Sequence, residues 1–216
     1  MAEPVALLDI AGIYVFALSG CLVALRHNMD VVGVLTLGLV TGFGGGVARD
    51  VLIADLPPQL VRTNGLLLIP VAAAVTALAV PGLLDRFRQP VLVLDAIGLG
   101  LFATVGAAAA IDAGLGVVPT VLVGTIAAVG GGLVRDLLAN ELPQILARGS
   151  RLYAIPAALG ALVVALGAEL DLAEAPVQLL AAILTVGLRL LALRYGWHAP
   201  ARPLGSSGAA TGEVGA

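Results

Sequence analysis

The chain has 216 residues, of which 60% are hydrophobic and 12% charged, with a formal net charge of −3 and a mean hydropathy of +1.07. A soluble domain of this size carries about a quarter charged residues on its water-facing surface, so the charges here are too few to cover a globule. The weak negative balance excludes a nucleic-acid-binding field, and one cysteine with two histidines leaves no disulfide and little material for a metal or histidine-based catalytic centre.

Apolar blocks of about 20 residues, the length that crosses about 30 Å of hydrocarbon, predict seven transmembrane helices. In lipid such stretches must be helical, because every backbone polar group needs a partner within the segment. The first span covers roughly 5–25; it is preceded by Glu3 and no basic residue, unlike a secretory leader, and reads as retained. Arg26-His27-Asn28 ends it, and the second covers roughly 31–54, up to Asp55-Leu56-Pro57-Pro58. The third, roughly 65–84, stops at Asp85-Arg86-Phe87-Arg88, and the fourth, roughly 91–111, at Asp112-Ala113-Gly114. The fifth, roughly 117–139, precedes Asn140-Glu141-Leu142-Pro143; the sixth and seventh cover roughly 152–168 and 175–195. Residues 199–216, rich in Pro, Gly, Ala and Ser, read as a disordered tail.

With seven spans, Arg26, Arg86, Arg88, Arg148, Arg151, Arg194 and Arg202 fall on one side of the membrane. The other side collects Glu3, Asp112, Glu169, Asp171 and Glu174 with Arg62 as its one clear cation. That asymmetry predicts a multi-pass cell-membrane protein, inner membrane in a two-membrane cell, with its N-terminus outside and its C-terminus in the cytoplasm.

Sliding the chain by 86 residues aligns 9–70 with 95–156 without a gap, pairing Asp9 with Asp95, Gly12 with Gly98, Phe16 with Phe102, Gly20 with Gly106, Gly38 with Gly124, Arg49 with Arg135 and Asp50 with Asp136. Matches on Gly, Asp, Arg and Pro do not arise from shared Ala/Leu/Val richness. Residues 1–89 therefore form one three-helix repeat and 90–170 a second, with 171–198 as a seventh helix and 199–216 as the tail. Three spans per copy, an odd number, make the second copy enter from the opposite side, an inverted arrangement common in transport proteins.

At the centre of each copy stands Gly44-Gly45-Gly46-Val47-Ala48-Arg49-Asp50 or Gly130-Gly131-Gly132-Leu133-Val134-Arg135-Asp136. Three glycines cost roughly 3 kcal/mol of helix propensity against alanine. They let a helix kink and expose carbonyls along a pathway, or let two helices pack closely; both readings stand. Arginine deep in a membrane costs at least ~2.5 kcal/mol on insertion scales unless it meets water or a partner. Arg49 and Arg135 therefore either pair with carboxylates across spans, for example Arg49 with Asp95 and Arg135 with Asp9, or snorkel to the interface. Asp9 and Asp95 open spans 1 and 4, either as cation-concentrating mouths or as helix-start carboxylates favoured by the dipole.

The twice-occurring Gly-Gly-Gly-x-x-Arg-Asp, followed by Asp55-Leu56-Pro57 and Glu141-Leu142-Pro143 in a 3+3+1 chain, resembles the prokaryotic trimeric intracellular cation (TRIC) channel family, whose repeat is also known as a glycine-transporter domain. The resemblance spans about residues 5–195. It implies a homotrimer whose subunits each hold a potassium-permeable pore, with spans 2 and 5 kinked at the glycines. Animal relatives carry a lysine-based motif in a pore helix; this chain has no lysine, so Arg49 and Arg135 match that basic character by motif only.

The expected function is a passive channel for monovalent cations, potassium or sodium, with the lipid bilayer and two further copies as partners and neither cofactor nor nucleic acid. The alternative is a secondary transporter of glycine or a similar small zwitterion, whose carboxylate and ammonium would meet an arginine and an aspartate near the glycine segments. An enzyme is disfavoured, since no His, Cys or Ser cluster supports one.

Overall fold

The structure, a computed structural model, describes residues 3–63, 65–79, 88–147 and 151–198. The predicted tail, residues 80–87 at the expected end of the third span with Arg86, and Arg148 lie outside the described residues. Among the described residues eight helices follow in chain order: α1 (Glu3–Arg26), α2 (Val31–Leu52), α3 (Gln59–Arg62), α4 (Leu68–Ala79), α5 (Arg88–Asp112), α6 (Val117–Leu138), α7 (Ala154–Glu169) and α8 (Glu174–Tyr195). Five of them, α1, α2, α5, α6 and α8, are long and apolar enough to cross a membrane. The chain is an all-α membrane protein.

Local chemistry sets several ends. Asp30 caps α2, its Oδ1 accepting the Gly33 N–H at 2.8 Å. At the far end of α8, Gly196 adopts a left-handed φ of 68°, a conformation that costs glycine least. One element was not foreseen: the four-residue α3, which follows Pro57-Pro58. The described part of α4 is 12 residues and α7 is 16, shorter than the third and sixth predicted spans.

The helices of each unit expected from the sequence pack on one another. In the first unit α1 packs on α2 and α4; in the second α5 packs on α6 and α7. The units meet through α1 against α5 and α2 against α6, while α8 packs mainly on α7 and α5 of the second unit. Phe16 of α1 and its repeat partner Phe102 of α5 stack at the centre, centroids 5.3 Å apart and planes within 11°, both essentially without solvent exposure. Such a stack adds about 0.5–1.5 kcal/mol beyond the area it buries.

The glycine triplets sit where α2 crosses α6. Both helices run without interruption through them, so the expected opening of the backbone is not present. A Cβ built on Gly45 would collide with the Ala127 carbonyl oxygen, and one on Gly131 with the Thr41 carbonyl oxygen. Cβ atoms on Gly44 and Gly130 would stand 3.3 and 3.2 Å from the opposing Cα atoms of Gly131 and Gly45. The triplets thus bring two backbones into contact, the role small residues take between membrane helices.

Candidate functional site

Beyond each triplet the helix carries its Arg-Asp pair inward. Arg49 donates from Nε to Asp50 Oδ1 at 2.9 Å, from its NH1 nitrogen to Asp9 Oδ1 at 3.5 Å, and from NH2 to Gln59 Oε1 at 3.2 Å. In the second unit Arg135 donates from Nε to Asp136 Oδ1 at 2.9 Å and from NH1 to Asp95 Oδ1 at 2.8 Å and Ser19 Oγ at 2.6 Å. The remaining oxygen of each Asp is held by backbone: Gln59 N–H donates to Asp50 Oδ2 at 2.8 Å, and Gln144 N–H to Asp136 Oδ2 at 3.1 Å. This explains the Leu-Pro pairs at 56–57 and 142–143: each turns the chain so that the N–H one or two residues past its proline meets the carboxylate.

Two expectations change here. Arg49 and Arg135 are 3% and 1% exposed, so they do not snorkel. The ion pairs run within each repeat, Arg49 with Asp9 and Arg135 with Asp95, rather than across the repeats. The reason is antiparallel packing: the start of α1 lies beside the end of α2, which brings residue 9 to the level of residue 49. Nor does either Asp stand free at a mouth, since Asp9 and Asp95 are themselves buried in these pairs.

The two clusters differ in what surrounds them. A cavity of about 330 Å³ is lined by Arg49, Asp50, Asp55, Gln59 and Asp112, among others. Arg49, Asp50 and Gln59 also line a second, narrow cavity of about 10 Å³, with Asp9, Gly46 and Phe102 in its wall. That is room for roughly one water. Around the second cluster, Tyr153 Oη donates to Asp95 Oδ1 at 3.2 Å. Arg189 of α8 reaches over the Tyr153 ring at 4.8 Å and donates to the Leu152 carbonyl at 2.8 Å, the Arg151 carbonyl at 3.0 Å and Gln144 Oε1. Two carboxylates thus share one arginine in the first cluster and have a second arginine nearby in the other.

Sequence reasoning passed over Arg189, Tyr153, Ser19, Gln59 and Gln144. Arg189 had a signal: an arginine inside an otherwise apolar span needs a partner, and Arg189 sits six residues before the end of α8 at Tyr195. The others had none, because a Ser, Tyr or Gln in an apolar chain has no spacing that marks its role.

The fold and its paired buried Arg-Asp clusters define a membrane protein of the TRIC cation-channel type. A crystal structure of a prokaryotic TRIC channel in 0.5 M KCl superposes with a TM-score of 0.84 and 31% identity, covering 90% of this chain and 98% of that one. A TRIC trimeric intracellular cation channel orthologue from Rhodobacter sphaeroides superposes at 0.82 with 33% identity, covering 89% of this chain and 98% of that one. The chain belongs to the family whose model is described as Glycine transporter, matched twice, at residues 6–81 and 92–169. The UPF0126 membrane protein of Deinococcus radiodurans is 44% identical over 161 residues, 74% of this chain and 75% of the relative. The UPF0126 inner membrane protein YadS of Escherichia coli is 37% identical over 195 residues, 88% of this chain and 91% of the relative. This is a channel- and transporter-like membrane family, not a family of enzymes.

Proposed function

We propose that the chain is a monovalent cation channel, permeable to potassium, with one pore in each subunit of a homotrimer in the cell (inner) membrane. Seven helices cross: the five long ones with α4 and α7, as two inverted three-helix repeats plus α8. The N-terminus lies outside and the C-terminus in the cytoplasm. The likeness to TRIC cation channels over nearly their whole length supports this reading. The observation that carries it is the first cluster, two carboxylates per guanidinium placed between a wide cavity and a narrow one. Such a site concentrates cations at the head of a path without binding any of them tightly. His27 Nε2 lies 2.8 Å from Glu141 Oε1, joining the α1–α2 and α6–α7 turns on one face, which supports the inverted arrangement.

The conformation described is a constricted one. Below the first cluster the path narrows to the volume of about one water and meets the Phe16–Phe102 stack. Conduction requires α2 and α6 to part at the glycine crossing, with Gly44, Gly45, Gly46, Gly130, Gly131 and Gly132 as the flexible lining and Asp9, Arg49, Asp50, Asp95, Arg135 and Asp136 as the charged positions along the pore. The same constriction favours a second reading, an occluded transporter of glycine, which the family description names. Proteoliposomes separate the two. Potassium efflux that dissipates an imposed gradient, unaffected by glycine, supports the channel; saturable glycine uptake without potassium flux overturns it.

A further inference from the structure

Positions that correspond at the 86-residue offset are treated differently in the two units. Gly46 corresponds to Gly132, Asp9 to Asp95 and Leu67 to Tyr153. In the first unit Gly46 and Asp9 line the narrow cavity of about 10 Å³, and Leu67 is 43% exposed. In the second unit a Cβ on Gly132 would collide with the Tyr153 hydroxyl, which donates to Asp95 Oδ1 at 3.2 Å. The buried Tyr153 thus stands against the glycine and the aspartate whose counterparts border open space in the first unit.

Tyr153 is held there by a residue from outside the aligned segments. Arg189 of α8 is buried with its guanidinium 4.8 Å from the centre of the Tyr153 ring. It also donates to the carbonyls of Arg151 and Leu152 and to Gln144 Oε1, which fastens the backbone just before Tyr153 to the α6–α7 connection. The Gln144 N–H in turn donates to Asp136 Oδ2. Among the described residues two buried side-chain atoms have no hydrogen-bond partner, Arg189 Nε and Asp95 Oδ2, and both belong to side chains that contact Tyr153. A buried donor or acceptor left unpaired is costly, so the closed arrangement is incompletely satisfied. Moving Tyr153 aside would let both atoms meet water and recover part of that cost.

We propose that Tyr153 closes the second cluster to solvent and cations, and that Arg189 is the positioning residue that holds it closed. The proposal rests on reading the two clusters as two halves of one cation path. Arg189 acts in two ways. Its bonds to the carbonyls and its place over the ring keep the Tyr153 hydroxyl on Asp95. Its charge also balances the cluster: Asp9 and Asp50 share Arg49 alone, whereas Asp95 and Asp136 have Arg135 and, beside Tyr153, Arg189. The first cluster therefore keeps a net negative charge that attracts cations, and the second keeps none while Arg189 is in place.

Labelling of a reporter thiol tests this without any need for conduction. Ser19 Oγ lies 2.6 Å from the Arg135 guanidinium, so Ser19→Cys with Cys21→Ala places the chain's one thiol in the second cluster. The full-length protein in lipid nanodiscs is treated with a cationic trimethylammonium-ethyl or an anionic sulfonate-ethyl methanethiosulfonate, and both are expected to react slowly with this parent. Arg189→Gln should speed the cationic reagent by about tenfold or more, the combined loss of the ring contact and the carbonyl bonds, and should speed the anionic reagent less. Tyr153→Phe, an isosteric change that also serves if Arg189→Gln does not fold, should speed both reagents by about two- to tenfold, the loss of one hydrogen bond. Arg189→Lys, which keeps the charge, should keep the parent's ratio of cationic to anionic rates. Equal acceleration of both reagents in Arg189→Gln overturns the proposal, since loosening alone would do that. Fast labelling of the parent, unchanged rates in Arg189→Gln or Tyr153→Phe, or a ratio in Arg189→Lys equal to that of Arg189→Gln overturns it too. The expected labelling pattern from a protein that passes no potassium would count against the channel and leave the roles of Tyr153 and Arg189 standing.

Discussion

Replacing single glycines by alanine within the triplets separates close packing from general helix propensity, because neighbouring positions meet different surroundings. A Cβ on Gly45 meets the Ala127 carbonyl oxygen and one on Gly131 the Thr41 carbonyl oxygen, both backbone atoms of the opposing helix that cannot rotate away. A Cβ on Gly46 meets only Phe102 Cε1, at 3.9 Å, an ordinary van der Waals distance. Gly45→Ala and Gly131→Ala should therefore each cost about 1–3 kcal/mol, the range for forced overpacking. Gly46→Ala should be neutral or stabilise by up to about 1 kcal/mol, the helix-propensity gain. The assay is reversible unfolding of the purified protein in mixed micelles, with wild type and three variants compared at one detergent composition. Equal stability of Gly45→Ala and Gly46→Ala would refute the crossing geometry, since propensity alone treats the two positions alike.

Three other outcomes follow from the charged clusters and the aromatic stack. Arg135→Met leaves Asp95 and Asp136 without their guanidinium and should cost about 3–5 kcal/mol in the same unfolding assay; Arg49→Met should cost less, because the 330 Å³ cavity gives Asp50 access to water. A double-mutant cycle between Asp95→Asn and Arg135→Gln should return a coupling of about 0.5–3 kcal/mol, whereas Asp9→Asn with Arg135→Gln should be additive within about 0.5 kcal/mol. Phe16→Ala should lose about 3–5 kcal/mol of stability yet raise potassium flux per folded protein, since it empties the stack that the proposed path meets; unchanged or lower flux would place the constriction elsewhere.

The helices were legible because lipid imposes a blunt rule: long apolar blocks with charged punctuation become helices, whatever their propensities. The matches at the 86-residue offset stood out because they fell on residues with few substitutes, and the structure gives several of those residues equivalent contacts. Phe16 and Phe102 stack on one another, and Arg49 and Arg135 make the same bond to the following Asp. The pairing of Arg49 with Asp9 could also have been reached from sequence, since an antiparallel hairpin sets the start of one helix level with the end of the next. Proposing Asp95 for Arg49 ignored that rule. The triplets were harder, because consecutive glycines serve bending and contact equally well until the facing backbone is known. Gln59, Gln144 and Arg189 belong to the site through α3, a turn and the unrepeated α8, and no periodicity carries such information.

Recording from purified protein in a planar bilayer under asymmetric potassium chloride tests the central claim most directly. The account predicts unitary currents that reverse near the potassium equilibrium potential and that grow in Phe16→Ala. A silent bilayer from folded, correctly assembled protein, with saturable glycine transport by the same preparation, would contradict it.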